Sequence, residues 1–172
     1  SGGRNNTASA YYSTVSGGRD NTASAYYSTV SGGYCNTASE TSSTVSGGYS
    51  NAASETSSTV SGGRCNTASG NYSTVTGGYQ AKASNWGEVA HAAGQFAQTG
   101  DAQHSVLIAR RNTTDATVTT LFLNGSNVRM TLPAETTWTF SINLSAYNDT
   151  DNTAAWWIIR GGIRRNAANG TA

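Results

Sequence analysis

Ser1-Gly2-Gly3-Arg4-Asn5-Asn6-Thr7-Ala8-Ser9-Ala10-Tyr11-Tyr12-Ser13-Thr14-Val15 returns, with edits, at Ser16, Ser31, Ser46, Ser61 and Thr76. A fixed short period makes each copy one structural unit that stacks on its neighbours. Ser-Thr-Val and Thr-Ala-Ser favour extended backbone, whereas Gly-Gly and the Asn position favour turns. A fifteen-residue copy is too short for a helical hairpin, yet it holds two short strands and two turns. The period therefore predicts one coil of a parallel β-solenoid per copy, with the rest of the chain mounted on it.

Reading down the columns assigns roles. Val15, Val30, Val45, Val60 and Val75 form one apolar column, and Ala8, Ala23, Ala38, Ala53, Ala68 and Ala83 form another. Stacked coils place identical side chains above one another, so both columns become core stripes. The Gly-Gly pair at 2–3 and its equivalents supplies positive φ for a tight corner. Asn6, Asn21, Asn36, Asn51 and Asn66 suit the next bend in the left-handed region, and stacked amides could donate to one another in a ladder. One Val and one Ala per coil bury little apolar surface against the ordering entropy of fifteen residues, so partner chains are expected to cover a second face.

The motif Asn-x-Ala-Ser-x-x-x-Ser-Thr-Val-Ser-Gly-Gly, seen for example from Asn21 to Gly33, resembles the YadA-type head repeats of trimeric autotransporter adhesins. It is also similar to repeats of phage tail-fibre-like proteins. The resemblance implies a homotrimer of left-handed parallel β-rolls on an extracellular surface, either a bacterial cell surface or a virion fibre. It covers residues 1–90, and the uniform period of fifteen departs from the adhesin heads, which are often nearer fourteen.

Bulk composition narrows the function. Of 172 residues only 11% are charged and the net charge is +1. No basic stripe argues for nucleic acid, and no apolar run reaches the length of a membrane span. No signal peptide opens the chain, which begins on the first residue of a repeat and so reads as part of something longer. Cys35 and Cys65 hold the same position two copies apart. Coils at roughly 4.8 Å spacing separate them by about 10 Å, beyond the roughly 7 Å Cα limit of a disulfide. Free thiols are expected.

Copy six loses its Asn to Ala81 and its Ser-Thr-Val to Glu88-Val89-Ala90, as terminal repeats do when they cap a stack. The junction is expected near Gly100, giving an array over 1–100 and a tail module over 101–172. The tail alternates as antiparallel strands: 105–111, then 117–123 joined through Asn124-Gly125 to 127–132, then 136–144 and 154–160. Gly161-Gly162 is expected to end the last strand. The tail is thus predicted as a small antiparallel β-sandwich, and Trp156-Trp157-Ile158-Ile159, apolar on both faces, calls for cover by a trimer interface or a central strand.

Irregular turns on a rigid scaffold are the usual place for recognition. The candidate binding residues are Asn112, Thr114 and Asp115, Asn124 and Ser126, and Tyr147, Asp149 and Asp151. The outward-facing columns are Arg4, Arg19, Tyr34, Tyr49, Arg64 and Tyr79, together with Tyr11-Tyr12 and their equivalents. They either contact a partner or stack on like residues in adjacent coils.

Catalysis has little support. The tail acids Asp101, Asp115, Glu135, Asp149 and Asp151 sit beside polar turn residues without the spacing of a glycosidase pair. His91 and His104 could each form a metal-binding ring of three on a trimer axis, although ordinary surface histidines are the default. No enzyme activity, cofactor or metal is expected. The reading is a trimeric fibre or adhesin segment that attaches to a cell-surface glycan or protein through its tail. A structural spacer is the alternative, followed by an ice-binding solenoid, whose faces would prefer Thr to the Ser used here.

Overall fold

The computed structural model describes residues 2–115, 117–132 and 136–165, and no helix occurs among them. The chain divides into two compact units, Ser1–Met130 and Thr131–Ala172.

In the first unit every copy contributes two short strands. Thr7–Ala8, Thr22–Ala23, Thr37–Ala38, Ala52–Ala53, Thr67–Ala68 and Lys82–Ala83 stack in parallel as a six-stranded alanine sheet. Thr14–Val15, Thr29–Val30, Thr44–Val45, Thr59–Val60, Thr74–Tyr79 and Val89–Ala93 form the parallel part of a valine sheet. Register advances by one whole copy, pairing Ala8 with Ala23 and Val15 with Val30. The period thus predicts the stack correctly. A third contact file, unforeseen from the sequence, links the fourth residues from Arg4 to Tyr79 by parallel bridges. Each coil therefore has three pairing sites rather than two.

The interior is half polar. Ala23, Ala38, Val30 and Val45 are fully buried, and so are Asn21, Asn36, Ser28 and Ser43. The Asn column does form a ladder, but its partners are backbone groups rather than neighbouring amides. Asn36 Nδ2 donates to Gly32 O of its own coil (2.8 Å) and to Gly48 O of the next (2.9 Å), while Oδ1 accepts from Asn51 N (3.0 Å). Ser43 closes the corner at residues 40–43, accepting from Glu40 N through Oγ (3.2 Å) as its own N donates to Glu40 O (3.0 Å). Among the described residues no buried side-chain polar atom lacks a partner. The core is small, but its polar half is fully satisfied.

The left-handed residues are not the Asn column. They are the residues just before it, Asn5, Asp20, Cys35, Ser50, Cys65 and Gln80, and the twelfth residues Tyr12, Tyr27, Ser42, Ser57 and Tyr72, with φ between 51° and 62°. For L residues this conformation costs about 1–2 kcal/mol each. Hydrogen-bond direction explains why it persists. Most coil N–H groups donate forward, as Thr22 N does to Asn36 O (2.8 Å), but these donate backward: Cys35 N to Arg19 O (3.0 Å) and Tyr27 N to Tyr11 O (3.2 Å). Each coil is thereby bonded in both directions at its corners.

The array ends on a built cap. Gln103–Val106 joins the valine sheet antiparallel to Val89–Ala93, so the chain beyond Gly100 still belongs to the first unit's sheet. The Gln103 amide accepts from Lys82 N and donates to Lys82 O, both at 2.7 Å, supplying partners that a further coil would otherwise provide. Glu88, in the Ser43 position of its copy, is 2% exposed. Its carboxylate accepts from Ser84 N, Asn85 N, Asn85 Nδ2, Gln103 Nε2 and Ser105 Oγ. Glu88→Ala is expected to destabilise the folded array by about 3 kcal/mol, since several donors lose their shared acceptor together. Urea unfolding followed by circular dichroism measures this, and a midpoint equal to wild type would refute it.

Two tail expectations change. Among the described residues, the strands at 105–111, 117–123 and 127–132 shrink to Gln103–Val106 and a single antiparallel bridge, Arg110 with Phe122. Asn124 contributes to the loss: its Oδ1 accepts from Ser126 N, Asn127 N and Val128 N, all at 3.0 Å, so the first two donors of the expected 127–132 strand are engaged by one side chain. In the second unit Thr136–Asn148 and Thr153–Arg165 form a long antiparallel hairpin with no break at Gly161-Gly162. Gly161 lies opposite Phe140, and a Cβ there would sit 3.0 Å from Phe140 Cζ. The glycine makes room for the cross-strand ring instead of ending the strand.

Candidate functional site

The candidate residues fall in both units, and each group is described by itself. In the first unit Asn112 and Asn124 line one open cleft of about 330 Å³ together with Arg110, Arg111 and Gly125. Its walls are held from several sides. Arg111 Nη1 donates to Ser126 O (3.0 Å), and its guanidinium lies over the Phe122 ring, 5.3 Å from the centroid. Arg110 exchanges backbone hydrogen bonds with Phe122 (2.8 and 3.3 Å). Gly125 has φ 81°, which favours glycine, and a Cβ there would sit 3.1 Å from Arg110 Nε, displacing that side chain by a few tenths of an ångström. The amide of Asn124 is spent on loop structure, which makes it a positioning residue more than a ligand contact. Ser126 contributes its carbonyl to the Arg111 contact.

Asp115 and Thr114 are exposed beside this region. Hydrogen bonds from the Thr117 side chain and backbone hold the Asp115 carboxyl below its ordinary range. Asp101 is lowered in the same way by the backbone N–H groups of Gln98, Ala97 and Phe96. Both contributions are present above the ordinary carboxylate pKa and are lost as acid protonates the folded form.

In the second unit Tyr147 Oη donates to Asn152 Oδ1 (2.6 Å), and Asp151 Oδ2 accepts from Asn148 Nδ2 (3.0 Å). Asp149 is exposed at the tip. These residues organise a four-residue turn between Asn148 and Thr153. Glu135 lies outside the described residues.

Arg110 and Arg111, the cationic part of the cleft, were not among the sequence candidates. Their signal was present: adjacent arginines in a chain with ten cationic residues. It was obscured by their place in an expected strand, where alternation would send them to opposite faces.

The outward columns of the array are occupied by one another. Arg19 lies over Tyr34 (5.1 Å), Tyr34 packs on Tyr49 (5.3 Å), and Arg64 sits over both Tyr49 (5.1 Å) and Tyr79 (5.6 Å). Tyr12 and Tyr27 stack at 5.0 Å, and Tyr26 meets both edge-on. Cys35 and Cys65 are free thiols. Among the described residues no three His, Cys, Asp or Glu side chains gather where they could hold a metal ion. His91 and His104, separate in the sequence reading, are cross-strand partners.

No family model, no curated protein and no solved structure matches this chain.

Proposed function

We propose that the chain is a homotrimeric fibre segment, similar to a YadA-type head or a phage tail-fibre-like protein, that attaches to a cell-surface glycan or protein from the outside. The observation that carries this reading is the Thr153–Arg165 strand, every residue of which is exposed in the single chain. Trp156, Ile158, Trp157, Ile159 and Ile163 are between 47% and 76% exposed and point to both faces of the hairpin. An isolated two-stranded sheet is marginal in water, and apolar residues on both faces need cover that the second unit does not supply. Further copies of the same hairpin provide it, and three of them would close the expected β-sandwich. Light scattering should return three times the 17.7 kDa of one chain. Trp156→Arg combined with Ile158→Arg should reduce this to monomer while the array keeps its circular dichroism. A folded wild-type monomer would overturn the proposal.

For ligand contact the cleft formed by Arg110, Arg111, Asn112, Asn124 and Gly125 is the best candidate, since guanidinium and amide groups around an open concavity suit a polar saccharide. A glycan array probed with the whole chain and with its Arg110→Ala variant tests this, binding by wild type alone being the expected result. The rival reading, a spacer without its own ligand, draws support from the aromatic columns, whose rings and guanidiniums stack along the array. Silence on glycan and cell-binding assays by an intact trimer would favour it.

A further inference from the structure

We propose that His91 and His104 form a two-imidazole site for a divalent transition-metal ion, of the Ni²⁺, Cu²⁺ or Zn²⁺ class, which clasps the reversed strand Gln103–Val106 to the last parallel strand of the array. The two residues are directly opposed in the antiparallel register. Both are exposed, whereas Ala90 and Ala92, on either side of His91, are buried, so strand alternation directs the rings to the outer face. Opposed residues in such a pair have Cβ atoms about 4.5–5.5 Å apart. Two imidazole nitrogens can converge from that separation on one ion at about 2.0–2.1 Å.

Thr76 prepares the first ligand. Its Oγ1 donates to Ala90 O (3.4 Å) and lies 3.4 Å from His91 Nδ1. With the hydroxyl proton directed at the carbonyl, Oγ1 accepts from the ring, which places the imidazole proton on Nδ1. The Nε2 lone pair is then left to bind a metal. The equivalent position is Ser in every earlier copy and becomes Thr only in the copy that lies beneath His91. Imidazole selects this class of ion over Mg²⁺ or Ca²⁺, and water completes the coordination. The nearby Glu88 carboxylate is turned inward and already accepts from Gln103 and Ser105. The site is complete within one chain, unlike a ring of three histidines on a symmetry axis.

Calorimetric titration of the untagged full chain with NiCl₂ or ZnCl₂ is expected to show one ion per chain and a rise in melting temperature through mass action. His91→Thr and His104→Thr should each abolish binding at the same concentrations while leaving the melting temperature in chelator unchanged. The chain has only two histidines, so proton NMR of the wild type reports independently. Both ring signals should shift together on adding Zn²⁺. If either variant fails to fold in chelator, that NMR titration decides alone. Absence of binding, binding that survives loss of either histidine, one ion per three chains, or movement of one ring signal only would each overturn the proposal.

Discussion

Gly48→Ala is expected to break the array, with a loss of about 4 kcal/mol or more, the range reached by the most disruptive single substitutions. Gly48 has φ +94°, and a Cβ built on it overlaps the Gly63 carbonyl oxygen of the next coil and lies 2.6 Å from Asn51 Nδ2. The obstacle is backbone and a buried amide, so no flexible side chain can yield. Opening this corner breaks Tyr34 N to Gly48 O (2.9 Å) and Tyr49 N to Gly63 O (3.0 Å), and the left-handed backbone adds its own penalty for alanine. Its neighbour provides the control. Gly47 also has positive φ, 142°, but its Cβ would meet nothing closer than 3.9 Å. Gly47→Ala should therefore carry only the backbone term, on the order of 1–3 kcal/mol for a conformation that L residues rarely adopt. Because solenoid stability is summed over neighbouring coils, Gly48→Ala should also split one unfolding transition into two. Urea titration with circular dichroism separates the two variants, and equal midpoints for both would refute the steric argument.

Asn36→Asp carries the second large effect. The change preserves shape but replaces the donors with an acceptor oxygen and, when ionised, adds a charge, which is where the ladder is sensitive. Gly32 O and Gly48 O would face a carboxylate oxygen instead of Nδ2, at the 2.8 and 2.9 Å now held by hydrogen bonds. Asn36 is fully buried with no cation among its hydrogen-bond partners, so an ionised group there is uncompensated. The expected loss at neutral pH is about 3–5 kcal/mol, the scale for an unpaired buried charge. Burial raises the folded-state pKa of the new carboxyl above its unfolded value. The folded form then binds the proton more tightly, and stability should recover as pH falls toward that of an ordinary carboxylate. Asn36→Ala lacks this pH dependence and should cost less, because Gly48 O keeps Tyr34 N as a donor and only Gly32 O and Asn51 N lose their partner. Stability of both variants at neutral and acidic pH tests the ladder's direction. If Asn36→Asp were no worse than Asn36→Ala, the amide would not be donating to carbonyls.

The period, the two apolar columns and the parallel register were legible in residues 1–90 because a stack repeats its environment, so each column records one physical role six times over. The Gly-Gly corner was legible for the same reason, as was the change of pattern at copy six. The left-handed corners were not. Their residues are Asn, Asp, Cys, Ser, Gln and Tyr, of which only the first two favour that conformation, and it is the backward hydrogen bond to the preceding coil that holds them there. Ladder direction was likewise invisible, since an amide offers donors and an acceptor alike and only neighbouring carbonyls decide between them. In the tail, alternation and turn residues correctly indicated the hairpin near Tyr147 to Asn152. They misread Gly161-Gly162, because whether a glycine ends a strand or accommodates Phe140 depends on the residue opposite. The same holds for His91 and His104, thirteen residues apart in the chain and brought face to face by the one antiparallel strand of the valine sheet. What sequence alone determined was the period, the two apolar columns, the parallel register and the place of the glycine corner. Features that arise from one side chain meeting another across strands required the tertiary structure, because pairing between distant residues leaves no local pattern to read.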